Sequence, residues 1–369
     1  MNKRLYLFTL VIASAVLVTM GISRSMVPTV SAQAKPTPTP VPAPSLSTPA
    51  VTPTPLPLNG DDIIKIDTEL VNISVRAVDR NNRAINNLSQ NDFKVFEDGK
   101  PQTIDFFSKS EVPTNYGLVI DNSGSMRQQL DKVIEAGKVL INTNRPDDES
   151  LIIRFVSREN IEIVQPFTSN KQDLNDALDN MLIEGGQTAI IDAVYLAVEN
   201  IDEYEKSKNV NDRKRRALIL VSDGEDRNSY YQEKQLFELL KESEVQIYVI
   251  GFTDDLSKDG GFISKSPQDK AKSFLTRLAT ETGGKAYFPA TPAELPNLAK
   301  EISNELRTQY SIGYIPSNDS KDGTYRSIKV QIADGPKQEK RIAVTRAGRT
   351  ADGGAPPPGQ KPSAVTKNP

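Results

Sequence analysis

The run Tyr116-Gly117-Leu118-Val119-Ile120-Asp121-Asn122-Ser123-Gly124-Ser125-Met126 joins an apolar strand pattern directly to a cluster of side-chain oxygens. A short continuous apolar run bounded by turn residues is the pattern of a strand buried on both faces. Downstream, Leu130, Val133, Ile134, Gly137, Leu140 and Ile141 recur at helical spacing, so the polar cluster falls in a strand-to-helix loop. The i, i+2, i+4 placement of Asp121, Ser123 and Ser125 can direct three oxygens toward one point, and Gly124 lets the loop turn tightly.

The same alternation continues outward from that run. Strands are predicted at 151–156, 161–167, 217–221, 245–252 and 285–288, and helices from near Lys171, Ala189, Tyr231, Lys270 and Pro292. Repeated strand-helix alternation predicts an α/β fold, a doubly wound and mostly parallel sheet with helices on both faces. Ligands of such sheets bind beyond the carboxyl ends of the strands. Two further oxygen-rich loops stand at such positions: Ser222-Asp223-Gly224-Glu225-Asp226 after an apolar run, and Gly185-Gly186-Gln187-Thr188-Ala189 at the start of a helix. Two carboxylates (Asp121, Asp223), three hydroxyls (Ser123, Ser125, Thr188) and water suit a small hard cation with octahedral oxygen ligands at roughly 2.0 to 2.1 Å, Mg²⁺ or Mn²⁺. These loops read as surface segments, where substitutions should leave the fold intact.

On either side the periodicity changes. Residues 61–112 and 309–348 carry short apolar alternations and turn signals without helical spacing. Glu97-Asp98-Gly99-Lys100 is a strong hairpin signal, expected to pair 93–96 with 103–107; 310–315 and 325–332 likewise flank the turn-rich 319–323. Neither flank has enough strands to bury its own apolar face. The two are therefore expected to form one small β-sandwich into which the 113–308 domain is inserted. Residues 349–369, rich in Gly, Pro and Lys, read as a disordered tail.

Composition excludes much chemistry. The chain has no His, no Cys and no Trp, which removes Ser-His-Asp and Cys-His catalysis and zinc held by His or thiolate. A net charge of -3 gives no large positive field for a nucleic acid partner. Lys3 and Arg4 before an apolar run, with Ala32-Gln33-Ala34 beyond it, mark 1–34 as a secretory signal; the rival reading is an uncleaved amino-terminal anchor, the one route to a membrane. The Pro-rich 35–60 follows as an extended linker. An exported location is expected: periplasm, cell surface or secreted.

Asp-x-Ser-x-Ser after a first strand, Thr in a Gly-Gly-x-Thr loop and Asp after Leu-Ile-Leu-Val-Ser together resemble the von Willebrand factor type A family. The resemblance covers about 115–309 and implies a metal-ion-dependent adhesion site. There the counterparts of Ser123 and Ser125 bind the cation directly, and those of Thr188, Asp121 and Asp223 bind it directly or through water. The stretches 88–99 and 310–314 further resemble a group of secreted bacterial proteins with this domain. Such a site implies a non-enzymatic interaction module whose metal takes a partner protein's Asp or Glu carboxylate.

Two other functions stay open on the sequence. A metal-dependent hydrolase would need Glu225 or Asp226 as acid or base, and a structural envelope protein would use the metal only to tighten its fold. Asp255, Ser257, Asp259 and Gly260 imitate the start of a calcium loop, but Ser266 stands where a bidentate Glu is needed, so a solvated loop is expected. The basic run Arg213-Lys214-Arg215-Arg216 reads as a solvated loop leading into a strand, with an anionic contact as the other reading.

Overall fold

The computed structural model describes residues 70–109, 112–208, 214–259 and 265–351; the expected secretory signal (1–34), the Pro-rich 35–60 and 352–369 lie outside the described residues. The first flank contributes β1 (Val71–Val78), β2 (Phe93–Glu97), β3 (Lys100–Gln102) and β4 (Phe106–Ser108). An alternating section follows: β5 (Thr114–Asp121), α1 (Leu130–Asn142), β6 (Glu149–Ser157), β7 (Asn160–Thr168), α2 (Lys171–Asp179), α3 (Ile190–Lys206), β8 (Arg215–Ser222), α4 (Glu233–Glu242), β9 (Gln246–Gly251), α5 (Pro267–Glu281), β10 (Ala286–Tyr287) and α6 (Leu295–Arg307). The second flank adds β11 (Tyr310–Tyr314), β12 (Tyr325–Ile332), β13 (Ile342–Val344) and β14 (Gly348–Thr350).

The alternating section is a six-stranded sheet in the order β10-β9-β8-β5-β6-β7, parallel except for the antiparallel edge strand β7. Every residue of β5 and of β9 is buried, which is why these strands read as unbroken apolar runs. Successive side chains of β5 serve opposite faces. Val119 packs with α3, α4 and α5, while Leu118 and Ile120 pack with α1, α2 and α6. The fold is thus the expected α/β type. From β5 the chain runs outward to β6 and β7, then returns to place β8 on the other side of β5. The gap above β5 and β8 is therefore the topological switch point, where such sheets bind their ligands.

Strands of the two flanks pair with each other: β1 with β11 and β13, β4 with β11, and β2 with β12. One sheet has the order β13-β1-β11-β4 and the other β14-β12-β2-β3, so each mixes strands from both ends of the chain. In register, Val71 faces Tyr314, and Val95 faces Val330. Their inward side chains, among them Ile73, Val75, Phe93, Val95, Ile312, Tyr314 and Val330, form one shared core.

Three local expectations are corrected. Asp98 and Gly99, both at positive φ (49° and 77°), do make the hairpin turn, but β2 pairs with Lys100–Gln102 and not with 103–107. The chain then crosses to the other sheet, where Phe106–Ser108 pairs with β11 and the Asp105 carboxylate accepts from Ile315 N–H at 2.9 Å. Strands β11 and β12 likewise lie in opposite sheets instead of forming a hairpin. Finally, β14 carries Arg349 and Thr350 past the expected start of the tail, held by the buried pairing of Arg349 with Glu97.

Candidate metal centre

Strand β5 delivers Asp121 to the switch point with no solvent exposure. Its Oδ1 accepts the Ser123 backbone N–H at 2.9 Å, the bond that turns the chain out of the strand. Residues Gly124–Gln128 then form a single 3-10 turn leading to α1. This brings the Ser123 and Ser125 hydroxyls to 2.9 Å of each other. Next door, Ile120 and Val221 are in register, so β8 ends beside β5. Ser222 Oγ donates to Asp121 Oδ2 at 2.7 Å and accepts from Gly224 N–H at 3.1 Å. Asp223 Oδ1 accepts from Glu225 N–H at 3.0 Å.

The third loop is tied to the second. Thr188 C=O accepts from Arg227 N–H at 2.8 Å and from Asn228 N–H at 3.3 Å. Asp226 Oδ1 accepts from Ile191 N–H at 3.2 Å, in the first turn of α3. Asp192, fully buried, accepts from Tyr230 and Tyr231 N–H at 2.7 and 2.8 Å. The structure thus brings Asp121, Ser123 and Ser125 into one turn, sets Asp223 beside Asp121, and laces the Thr188 loop to the loop that carries Asp223. Among the described residues, the Thr188 hydroxyl and Asp223 Oδ2 have no hydrogen-bond partner.

The donor set suits a hard cation. Burial, and then the negative charge of Asp223, push Asp121 up to about 6, so the carboxylate pair carries repulsion that a cation would relieve. No group of three or more His, Cys, Asp or Glu placed to hold a metal occurs among the described residues. A cation here would therefore take most of its bonds from hydroxyls and water, as a two-carboxylate, three-hydroxyl set requires.

Four of the five positions are not superficial: Asp121, Ser123, Thr188 and Asp223 are 0, 2, 4 and 5% exposed. The loops are not the surface segments expected, because they fold down between the strand ends. Asp121→Ala would strand the Ser123 N–H and the Ser222 hydroxyl in the interior. Sequence reading missed Ser222, Asp192 and Asn122, all fully buried. Asn122 Nδ2 donates to Leu182 C=O at 2.9 Å, which anchors the segment before the Gly-Gly turn. Ser222 was signalled only by its place between an apolar run and Asp223.

The other singled-out motifs resolve differently. Glu225 pairs with Arg227, and Asp226 also accepts from the Ser229 hydroxyl at 2.5 Å. Asp255 Oδ2 accepts from Gln129 Nε2 at 3.1 Å, and Ser266 caps α5 by accepting from Asp269 N–H, so the calcium-loop imitation is a helix approach; Gly260 lies outside the described residues. Arg213 lies outside the described residues; the rest of the basic run is not a solvated loop, since Lys214 and Arg216 are ion-paired and Arg215 is buried.

Gly224 follows Asp223 at φ +85°, and a Cβ there would stand 2.7 Å from Leu275 Cδ1. Gly224→Ala is expected to lose about 1–3 kcal/mol, measured as a urea midpoint shift, because the strained backbone and the Leu275 contact add.

Comparison with known proteins bears on the family. The sequence profile of the von Willebrand factor type A domain matches residues 117–301, half of the chain. An uncharacterized protein of Synechocystis, sll0103, is 29% identical over 150 residues, 40% of this chain and 34% of that one. Human inter-alpha-trypsin inhibitor heavy chain H4 is 23% identical over 240 residues, 59% of this chain and 23% of that one. The chain thus spans about a third or less of the length of these relatives. Among solved structures, a von Willebrand factor type A protein from Catenulispora acidiphila is similar at 13% identity, with a TM-score of 0.42 over 70% of this chain and 75% of that one. With its profile match reaching from within β5 into α6, and the switch-point loops lying between those limits, the chain belongs to the von Willebrand factor type A domain family.

Proposed function

We propose that the protein is an exported, non-enzymatic interaction module that holds Mg²⁺ or Mn²⁺ through Asp121, Ser123, Ser125, Thr188 and Asp223 and engages a protein partner through an Asp or Glu carboxylate. One observation carries the reading. Asp121, Ser123 and Ser125 share one turn at the switch point of the sheet, the Asp223 and Thr188 loops are tied to each other beside it, and the Thr188 hydroxyl and Asp223 Oδ2 have no hydrogen-bond partner among the described residues, which supports a cation held by all five. A cation held there supplies an electrophilic centre for an external carboxylate. Asp121 and Asp223 retain the cation by charge, and the Ser123–Ser125 turn presents its hydroxyls in a fixed geometry. An inserted domain with boundaries near 113 and 309 would carry this edge at the end away from the chain's crossings to the flanks, since Asp121 closes β5 and Thr114 opens it.

Hydrolysis gains no support from the geometry. Glu225 is held by Arg227, and Asp226 is spent on the Ile191 amide and the Ser229 hydroxyl, so neither stands ready as an acid or base. Export rests on the basic-apolar amino terminus and the Pro-rich linker. No helix among the described residues is long and apolar enough to cross a membrane.

The test is selection of binders from a displayed peptide library on immobilised full-length protein in Mg²⁺. Binders are expected to carry an Asp or Glu whose change to Asn or Gln, like added chelator, abolishes capture. Binders indifferent to both would overturn the reading, and a metal that stabilises the fold while leaving binding unchanged would favour a structural role.

A further inference from the structure

Arg215 opens β8 at the edge of the sheet opposite Asp121 and Asp223, where the inserted domain meets the flanks. Its neighbours in the basic run are neutralised: Lys214 by Glu149 at 2.9 Å, Arg216 by Asp202 at 2.8 Å and by Glu244. Arg215 itself is 6% exposed and has no carboxylate within 4 Å among the described residues. One guanidinium nitrogen donates to Leu306 C=O at the carboxyl end of α6, and another reaches the Ser311 hydroxyl at 3.3 Å. Its Nε has no hydrogen-bond partner among the described residues. The negative end of α6 accounts for part of this placement, as a helix cap would. It does not account for a second guanidinium nearby.

That second group is Arg346, between β13 and β14, which lines the same cavity from the side of the flanks. It too has no carboxylate within 4 Å among the described residues, and bonds only to the carbonyls of Gly348 (2.8 Å) and Ser243 (3.5 Å). Burial lowers both guanidinium groups, Arg215 to about 10, so both stay protonated at neutral pH; the nearby Glu244 charge offsets only part of the desolvation at Arg346, and no carboxylate among the described residues pairs directly with either. The cavity between them measures about 260 Å³. Glu244 also lines it but is engaged by Arg216, and the buried Gln246 Oε1 there has no hydrogen-bond partner among the described residues. Phe106 and Leu240 give it apolar wall.

We propose that this cavity binds a small organic oxyanion, a carboxylate or phosphate monoester on a single ring or short chain, whose charge is taken by Arg215 and Arg346. The planar guanidinium fork matches paired carboxylate or phosphate oxygens, and the apolar wall takes the body of the ligand. The cavity is smaller than a drug-sized pocket, which sets the limit on ligand size. Because one arginine comes from the inserted domain and the other from the flanks, an occupant braces the junction of the two. The site does not depend on the metal centre.

Calorimetric unfolding of the full-length chain at fixed ionic strength tests this with benzoate and phenyl phosphate as probes. At least one should raise the midpoint saturably where chloride does not. Arg346→Met should weaken that probe by about tenfold or more, the worth of a charged hydrogen bond, and Asp223→Asn should leave its affinity unchanged. Should Arg346→Met fail to fold, Arg346→Lys keeps the charge without the fork and is expected to lose affinity. No saturable response to either probe, or full affinity in the Arg346 variant, overturns the proposal.

Discussion

Glu97→Ala is expected to destabilise the protein by about 3–5 kcal/mol, the cost of removing one partner from a buried ion pair. Glu97 and Arg349 have side chains only 2% and 5% exposed, with Arg349 Nε donating to Glu97 Oε2 at 3.1 Å. The same oxygen accepts from the Tyr314 hydroxyl at 2.6 Å. Burial and Glu97 together hold the Tyr314 phenol above its ordinary range, so it serves as a neutral donor. Glu97 and Arg349 belong to one sheet of the sandwich and Tyr314 to the other, so this carboxylate ties both sheets and both ends of the chain. Its loss takes the Glu97 carboxylate from a buried guanidinium and the acceptor from the Tyr314 hydroxyl. The measurement is urea unfolding followed by circular dichroism. Glu97→Leu combined with Arg349→Met should recover most of the loss, because no charge is then left buried. A single variant that loses under about 1 kcal/mol would show the pair to be solvated.

What could be read from the sequence follows from what kind of interaction each feature uses. Strands β5 and β8 and helix α1 were legible because burial imposes a local periodicity, seen in the unbroken 118–120 run and in the spacing from Leu130 to Ile141. The turn at Asp98-Gly99 was legible because positive φ selects those residues. Strand partners were not. Alternation in Phe106–Ser108 and Tyr325–Ile332 marks which face is buried, not which strand lies alongside, so both segments were matched to sequence neighbours instead of to β11 and β2. The candidate site was legible where it is local, as in Asp121, Ser123 and Ser125. Asp192 and Ser222 support it through bonds across 39 and 101 positions in the chain, which no spacing announces. Arg215 was misread for a related reason: its charge suggests solvent, and only the fold places it beneath α6.

The second large effect is expected at the metal centre, where Asp223→Asn should separate stability from cation binding. Asn keeps an oxygen for the Glu225 N–H bond now made by Asp223 Oδ1, and it removes the negative charge that raises Asp121. In chelator the variant should therefore be at least as stable as the wild type. With Mg²⁺ the order should reverse. A cation that binds only the folded state at a hundred times its Kd adds about 2.7 kcal/mol, and the wild type should gain that increment while the variant gains almost none. Asp121→Ala cannot make this distinction, since it also removes the acceptor for the Ser123 amide and the Ser222 hydroxyl in a fully buried place. Thr188→Ala completes the set: its hydroxyl makes no hydrogen bond to another described residue, so its removal should spare the apo fold and lower the Mg²⁺ increment. Urea midpoints of the three proteins, with Mg²⁺ and with chelator, give the result directly. An Mg²⁺ increment in Asp223→Asn equal to that of the wild type would remove Asp223 from the cation site and, with it, the charge balance on which the proposed function rests.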